Sequence, residues 1–335
     1  MAKSRRANAV LFGFDFQINA AIVLMLENMA DLSSLRLEGN HEDIEIEMTD
    51  GKYILAQAKG VEKAGTDFSH VRENLKKALH SLSEGARDTE TRKLILITNS
   101  PNPLNEEASK SLFYGEAHRD FDTLPDSSKE LIKKYLQEVD QPLDTSQFMI
   151  QVLPFETDNE EERFKVVHTK VDDFIGELDI NRPGITKKLM TIWQDNVFQN
   201  GTKSDAEIKL RKKDIVWPVI MLVTDVEQAG DKFSEYFDPG LYDEIIRKYH
   251  EVITTYSERF DFITRVLHDY QQYSYKGKIS DKNISFANDF WQEYLDDLKI
   301  DESDDEMQEG LIKIILLTIV TNRIAIDHIK KGVGL

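Results

Sequence analysis

The stretch Glu38-Gly-Asn-His-Glu-Asp43-Ile-Glu-Ile-Glu-Met-Thr-Asp-Gly51-Lys-Tyr-Ile-Leu-Ala-Gln57-Ala-Lys59 decides how this chain reads. From Asp43 to Met48 polar and apolar residues alternate strictly, the period of a half-buried strand. A second strand pattern covers residues 52–59, and the Thr49-Asp50-Gly51 between the two is a strong hairpin signal. Gln57 and Lys59 stand two apart on one strand, so their side chains leave the same face, and a hairpin partner brings Asp43 beside them. A carboxylate, an amide oxygen and an ammonium then surround one point. That is the geometry of a metal-dependent phosphodiesterase. A hard divalent cation would take oxygens from Asp43 and from the Gln57 side chain or an adjacent backbone carbonyl, with phosphate oxygens and waters completing an octahedron. Lys59 would orient or deprotonate the attacking water and offset charge on the pentavalent phosphorus.

Working outward, Phe16, Ala20, Val23, Leu24 and Leu26 recur at helical spacing, which predicts a helix over residues 15–29 with Asp15 as its cap. A short strand-like segment, residues 35–38, precedes the hairpin. Val71, Leu75, Ala78, Leu79 and Leu82 share one face of a predicted amphipathic helix over 68–82, whose other side offers Arg72, Lys76 and Lys77. The continuously apolar run from Leu94 to Thr98-Asn99 ends in Ser-Pro-Asn-Pro and reads as a buried central strand. Residues 131–139 read as helix and 148–153 as strand. The resulting order defines an α/β domain over residues 1–155. The acidic stretch Glu156–Glu162 reads as a linker. Residues 160–335 read as a predominantly helical second domain, with one clear break at Gly201-Thr-Lys-Ser-Asp205 and long periodic segments over 242–269, 285–298 and 307–330. No internal repeat or sustained heptad is present. The acidic run Asp301–Glu306 fits carboxylates at the start of the last helix, where they favour its dipole.

The 335 residues suffice for one large or two ordinary domains, and a composition of 40% hydrophobic and 31% charged residues is that of a globular chain. Absence of cysteine excludes disulfides, cysteine-ligated zinc, iron–sulfur clusters and thiol catalysis. The basic start, Met1-Ala-Lys-Ser-Arg-Arg6, is followed from Ala20 by an apolar stretch that contains Glu27 and lacks a small-residue cleavage site, so no signal peptide is expected. The apolar run Ile314–Val320 falls far short of the ~20 residues of a membrane span. The default expectation is a cytoplasmic protein without a membrane partner. The net charge of −19 argues against tight autonomous DNA binding through a broad basic surface. Neither half is basic: residues 1–150 hold 18 Lys and Arg against 25 Asp and Glu.

The spacing Asp43-x(13)-Gln57-x-Lys59, preceded by a helix containing Gly13-Phe-Asp-Phe-Gln17, resembles the restriction-endonuclease-like superfamily in the variant where Gln replaces the acidic residue before the Lys. More narrowly, the series Gly-Phe-x-Phe-Gln, Glu-Gly-x-x-Glu-Asp, Gln-x-Lys and a strand ending Thr98-Asn99 is similar to effector nuclease domains of bacterial anti-phage systems. These include CBASS effector nucleases and the nuclease subunits of Lamassu-type defence. The resemblance covers about residues 10–155. It implies that Asp43, Gln57 and Lys59 form the catalytic set, with Glu38 a further ligand or orienting carboxylate and Gln17 a helix residue facing the site. Asp43, Gln57 and Glu38 would hold Mg²⁺, with Mn²⁺ as a substitute. CBASS effectors of this type carry a nucleotide-sensing α/β domain after the nuclease, whereas residues 160–335 read helical. The Lamassu-type reading therefore fits better. It implies a DNA endonuclease inactive until partner subunits, including an SMC-like ATPase, release or assemble it, with a homo-oligomer as one active form.

Ordinary readings stand beside these. For Asp43, Glu45 and Glu47 the alternative is a solvated strand edge, which is the stronger reading for the two glutamates. Glu38 is balanced between ligand and surface charge, and Gln17 between site and structural amide. Lys59 has a plain surface lysine as its alternative. Lys76 and Lys77 read as a solvated helix face, His41 as a loop histidine, and Trp193 and Trp217 as core or interface. The remaining histidines lack metal-ligand spacing, and no Walker-type, dinucleotide or Gly-x-Ser-x-Gly motif is present. The rival function is a catalytically silent adaptor with a nuclease fold, or a nuclease gated by a translocase or nucleotide sensor.

Overall fold

The alternating stretch forms its hairpin, and a sheet grows on both sides of it. The computed structural model describes residues 3–155, 159–181, 183–224, 233–257, 259–298 and 305–335. Helix α1 (Lys3–Glu27) leads into β1 (Leu32–Leu37), β2 (Ile44–Met48) and β3 (Tyr53–Lys59). β2 and β3 pair antiparallel with Ile44 opposite Ala56, and Gly51, at φ 81°, supplies the left-handed residue of the turn. α2 (Val71–Gly85) crosses over so that β4 (Thr91–Thr98) lies parallel to β3. Then come α3 (Glu107–Lys110), β5 (Ala117–Asp120), α4 (Asp126–Leu136), β6 (Phe148–Val152), α5 (Glu160–Glu177), α6 (Ile185–Gly201) and β7 (Leu210–Arg211). All seven strands join one sheet in the order β5-β6-β4-β3-β2-β1-β7. It is mixed, because β3, β4 and β6 run parallel while the other pairs are antiparallel.

The expected first helix begins earlier than its apolar pattern. Residues 3–14 hold no proline to stop a helix, so α1 runs through Asp15, which does not cap it. Asp15 instead accepts from the Asn19 amide at 3.0 Å and pairs with Arg163 at 3.2 Å. The segment Asn8–Glu27 is long and apolar enough to cross a membrane by length and composition. In this fold Ala20–Met25 are at most 1% exposed, so the segment serves as a core helix against β1 and β3. On the other face, Leu75, Leu79 and Leu82 of α2 join Leu55, Leu94, Leu96 and Ile150 in one apolar cluster that α4 completes with Ile132 and Leu136.

The chain divides into two compact units, one of Met1–Ile175 with Thr186–Ile215 and one of Gly176–Ile185 with Val216–Leu335. The boundary expected at 155–160 thus lies inside the first unit. Arg36 explains the return of residues 186–215. Its guanidinium is 2% exposed and donates to the carbonyls of Asn200 (2.6 Å), Lys203 (2.7 Å) and Ile208 (3.1 Å), while the Leu37 amide donates to the Asn200 side chain. This places Leu210 and Arg211 against Leu35 and Ser34 as the edge strand. Trp193, 1% exposed, is core and donates to the Ile215 carbonyl, whereas Trp217 is half-buried.

The second unit is helical: after α7 (Lys212–Thr224), within which the chain enters it, come α8 (Pro239–Ser257), α9 (Phe260–Gln272), α10 (Lys282–Phe290), α11 (Asp305–Thr321) and α12 (Arg323–Val333). The long segments expected over 242–269 and 307–330 are each two helices, and α8 bends at Tyr249, whose φ of −119° is non-helical. α11 is buried along most of its length, from Leu311 to Val320, against α8, α9 and α10. Of the expected acidic linker, residues 156–158 lie outside the described residues, and Glu160 to Glu162 open α5. Of the acidic run before the last helices, 301–304 lie outside them, while Asp305 and Glu306 occupy the first turn of α11.

Candidate active site

Register builds the site. Ile44 pairs with Ala56, so Asp43, one residue earlier, stands opposite Gln57. Its carboxylate ends the ladder in place of a backbone carbonyl: Oδ2 accepts from the Ala58 amide at 3.0 Å and from the Gln57 side-chain nitrogen. Lys59 Nζ lies 3.8 Å from the same oxygen. Gln57 is 5% exposed, while the Lys59 and Asp43 side chains keep 25% and 20% of their surface open to solvent. Gln57 and Lys59 share the face of Leu55, which packs under α2, whereas Ala56 and Ala58 between them leave the face of α1 free of bulk. Structure thus brings Asp43, Gln57 and Lys59 together. Gln57 offers its amide nitrogen to Asp43, so ligation through the oxygen requires the amide to turn over.

Glu38 and Gln17 meet at the same end of the sheet. Glu38 leaves β1 with φ 53°, a left-handed conformation unusual for a side chain larger than glycine, and its amide donates to the Asp43 carbonyl at 2.8 Å. Burial, then the charge of Asp43, raises its pKa, opposed by a hydrogen bond from Gln17 and by Lys59 and Arg36. Next to Asp43 is a carboxylate that the sequence reading passed over. Glu42 is 5% exposed, and burial pushes its pKa up to about 8, the charge of Asp43 adding to the effect. The Ser81 hydroxyl and the Asp43 backbone approach it, but no hydrogen bond of normal geometry closes on either oxygen. No sequence signal marked it: the alternation that pairs Ile44 and Ile46 with Ala56 and Ile54 points away from the α2 face, where Glu42 lies beside Ser81.

These residues fit a hard divalent cation. Glu38 and Glu42 each feel the charge of Asp43, with Lys59 the cation that acts on both, and an orphaned buried carboxylate is costly without a partner. The donors are all oxygen, the set that Mg²⁺ or Mn²⁺ takes, and Asp43, Glu38 and a turned Gln57 would hold the ion.

Two expected edge carboxylates have structural work instead. Glu45 is 4% exposed, so the solvated-edge reading fails for it: its Oε1 accepts from the His41 amide (2.5 Å) and the Glu42 amide (3.2 Å) and so shapes the loop that carries Glu42. A Cβ at Gly39 would meet the Glu45 carboxylate, so a side chain there would have to push it off the loop amides. Glu47 accepts from Ser34 at 2.9 Å and from Lys209 at 3.1 Å. At the other edge of the site, buried Asn99 clamps Val61 through both its amide and carbonyl and donates to the Phe155 carbonyl, while Thr98 donates to the Lys59 carbonyl at 2.7 Å. Just past Lys59, a groove of about 600 Å³ is lined by Gly60 to Lys63, His70, Asn74 and Asn8, among others. Lys76 and Lys77 are exposed and paired with Glu138 and Glu73, as a solvated face would be.

Among the described residues, the group of three whose ligand atoms lie within 4.8 Å of one another is elsewhere, at Glu27, Glu116 and His118. Lys170 already supplies a cation there, 2.6 Å from Glu116 and 3.5 Å from Glu27, and the Gln151 amide donates to Glu27. Burial works to raise the Glu27 pKa, but His118, Gln151 and Lys170 together hold it below the usual range.

No family model, no curated protein and no solved structure matches the chain.

Proposed function

We propose that the chain is a metal-dependent DNA endonuclease of the restriction-endonuclease-like type with Gln in place of the acidic residue of its Gln-x-Lys motif. What supports the reading is the convergence of Asp43, Gln57 and Lys59 on one oxygen at the open end of the sheet. A bound Mg²⁺ would polarise the phosphate and make a bound water more acidic. Asp43, Glu38 and Gln57 would fix the ion's position. Lys59, one-quarter exposed beside Asp43, would orient the water, take or pass its proton and offset charge gathering on phosphorus. The nucleic-acid backbone would approach along the groove past Lys59, lined by Gly60 to Lys63.

The biological setting we propose is anti-phage defence of the Lamassu-like kind, with the chain as the effector subunit. A net charge of −19 leaves the DNA grip to partners such as an SMC-like ATPase or to assembly with further copies. The same charge favours a second reading, a silent adaptor. The test is cleavage of supercoiled and linear DNA with Mg²⁺ or Mn²⁺, over a range of protein concentrations and with co-purified partners. Cutting that is lost in both Asp43→Ala and Lys59→Ala supports the nuclease. Failure of the wild type to cut even with its partners present supports the adaptor.

A further inference from the structure

We propose that Glu42 is a further oxygen ligand of the divalent cation at Asp43, its side chain held inside the fold until the cation arrives. This rests on the metal-dependent reading of the site. Three neighbouring carboxylates have partners: Asp43 takes the Ala58 amide and Gln57, Glu45 takes two loop amides, and Glu47 takes Ser34 and Lys209. Glu42 is 5% exposed and neither of its oxygens has one. Among the described residues no other carboxylate is buried with both oxygens unpartnered.

Buried polar groups are nearly always satisfied, so each exception asks for a missing partner. An apolar side chain would fill the same space without that cost, and Glu45 has already set the loop through backbone amides alone. Position says which partner is missing. The carboxylate lies next to Asp43 in sequence, beside Ser81 of α2, and within reach of the charges of Asp43 and Lys59. Charge agrees: Asp43 and Glu42 together neutralise one divalent ion and leave Lys59 free to act on water or phosphate.

The experiment is Mn²⁺ binding to the full chain without DNA, by calorimetry and by the electron paramagnetic resonance signal of free Mn²⁺. Wild type should bind Mn²⁺, Asp43→Ala should not, and Glu42→Gln should bind about 10-fold or more weakly. Glu42→Asp, which keeps the charge but withdraws the oxygens by one methylene, should also lose affinity, and it carries the test if Glu42→Gln does not fold. Wild-type affinity in whichever variant is folded overturns the role of Glu42 while leaving the metal site standing. No Mn²⁺ binding by the wild type overturns the metal-dependent reading itself. Glu47→Gln is the control and should bind as wild type.

Discussion

Glu47 near one end of β2 and Glu42 just before the other are the same residue type on the same hairpin, and the fold treats them in opposite ways. Burial works to raise the pKa of Glu47, but hydrogen bonds from Lys209 and Ser34 prevail and leave it below its usual range. Lys209 in turn reaches the Tyr53 hydroxyl at 3.1 Å and lies over its ring. Glu47 and Lys209 thus answer one another. At the Glu42 end burial prevails, Asp43 adds to it, and Lys59 is the cation at hand. The cluster at Glu27 resembles the Glu47 end, because Lys170 sits among its acids. A gathering of carboxylates is therefore common in this acidic chain. What sets the Asp43 end apart is a buried carboxyl, Glu42, on whose oxygens no hydrogen bond of the protein closes.

The sharpest way to break this contrast is to remove the lysine at each end. Lys59→Ala should lower metal-dependent DNA hydrolysis by about 10²-fold or more, the usual weight of a proton-transfer group, whereas Lys209→Met should leave the rate near wild type. Equal losses would erase the distinction. Glu45→Ala strips two loop amides of their acceptor and should cost roughly 2–4 kcal/mol in urea unfolding, with Mn²⁺ affinity falling as the loop loosens. A stable variant would show that the loop does not depend on this carboxylate.

Stability against pH should run in opposite directions at the two ends when metal is removed by a chelator. A carboxyl whose pKa rises on folding stabilises fully below its unfolded value of 4.5, and that stabilisation is lost as pH climbs towards about 8. Glu42→Gln cannot ionise, so it should lie near wild type at pH 5 and exceed it by on the order of 4 kcal/mol near pH 8.5. A carboxyl whose pKa falls on folding stabilises above its unfolded value, and loses this as pH drops through the lower folded one. Glu47→Gln should therefore cost stability at pH 7 and nothing near pH 3. With about a third of that side chain exposed (32%), solvent screening keeps the loss under about 1 kcal/mol. The same sign for both variants would undo the comparison.

The sequence made the hairpin legible because its information is local: a strict period of two, an Asp-Gly turn, and Gln57 two residues from Lys59. Register then followed, and with it the meeting of Asp43 and Gln57. The α2 face and the buried β4 were legible for the same reason. β5 and β7 were not, since Ala-His-Arg-Asp and Leu-Arg carry no period of their own and are strands because neighbours offer them an edge. Glu45 and Glu42 were misread or passed over because their burial depends on α2 and on how the 39–42 loop folds back, which no spacing along β2 reveals. The length of α1 was hidden because apolar periodicity marks where a helix is buried rather than where it starts.

Arg36 draws its three carbonyls from chain synthesised long after it, Asn200 lying 164 residues further on. The sheet therefore cannot receive its last strand on the ribosome until the segment that holds Arg36 has emerged, and until then a buried arginine waits without acceptors. Contacts of such separation form slowly, after the local hairpin and helices. A nascent chain halted near residue 160 would expose the bare edge of β1, an open invitation to strand exchange with another copy. For a protein proposed to cut DNA, late closure beside the hairpin has a useful side: the site would gain its final support only when the rest of the chain exists to restrain it.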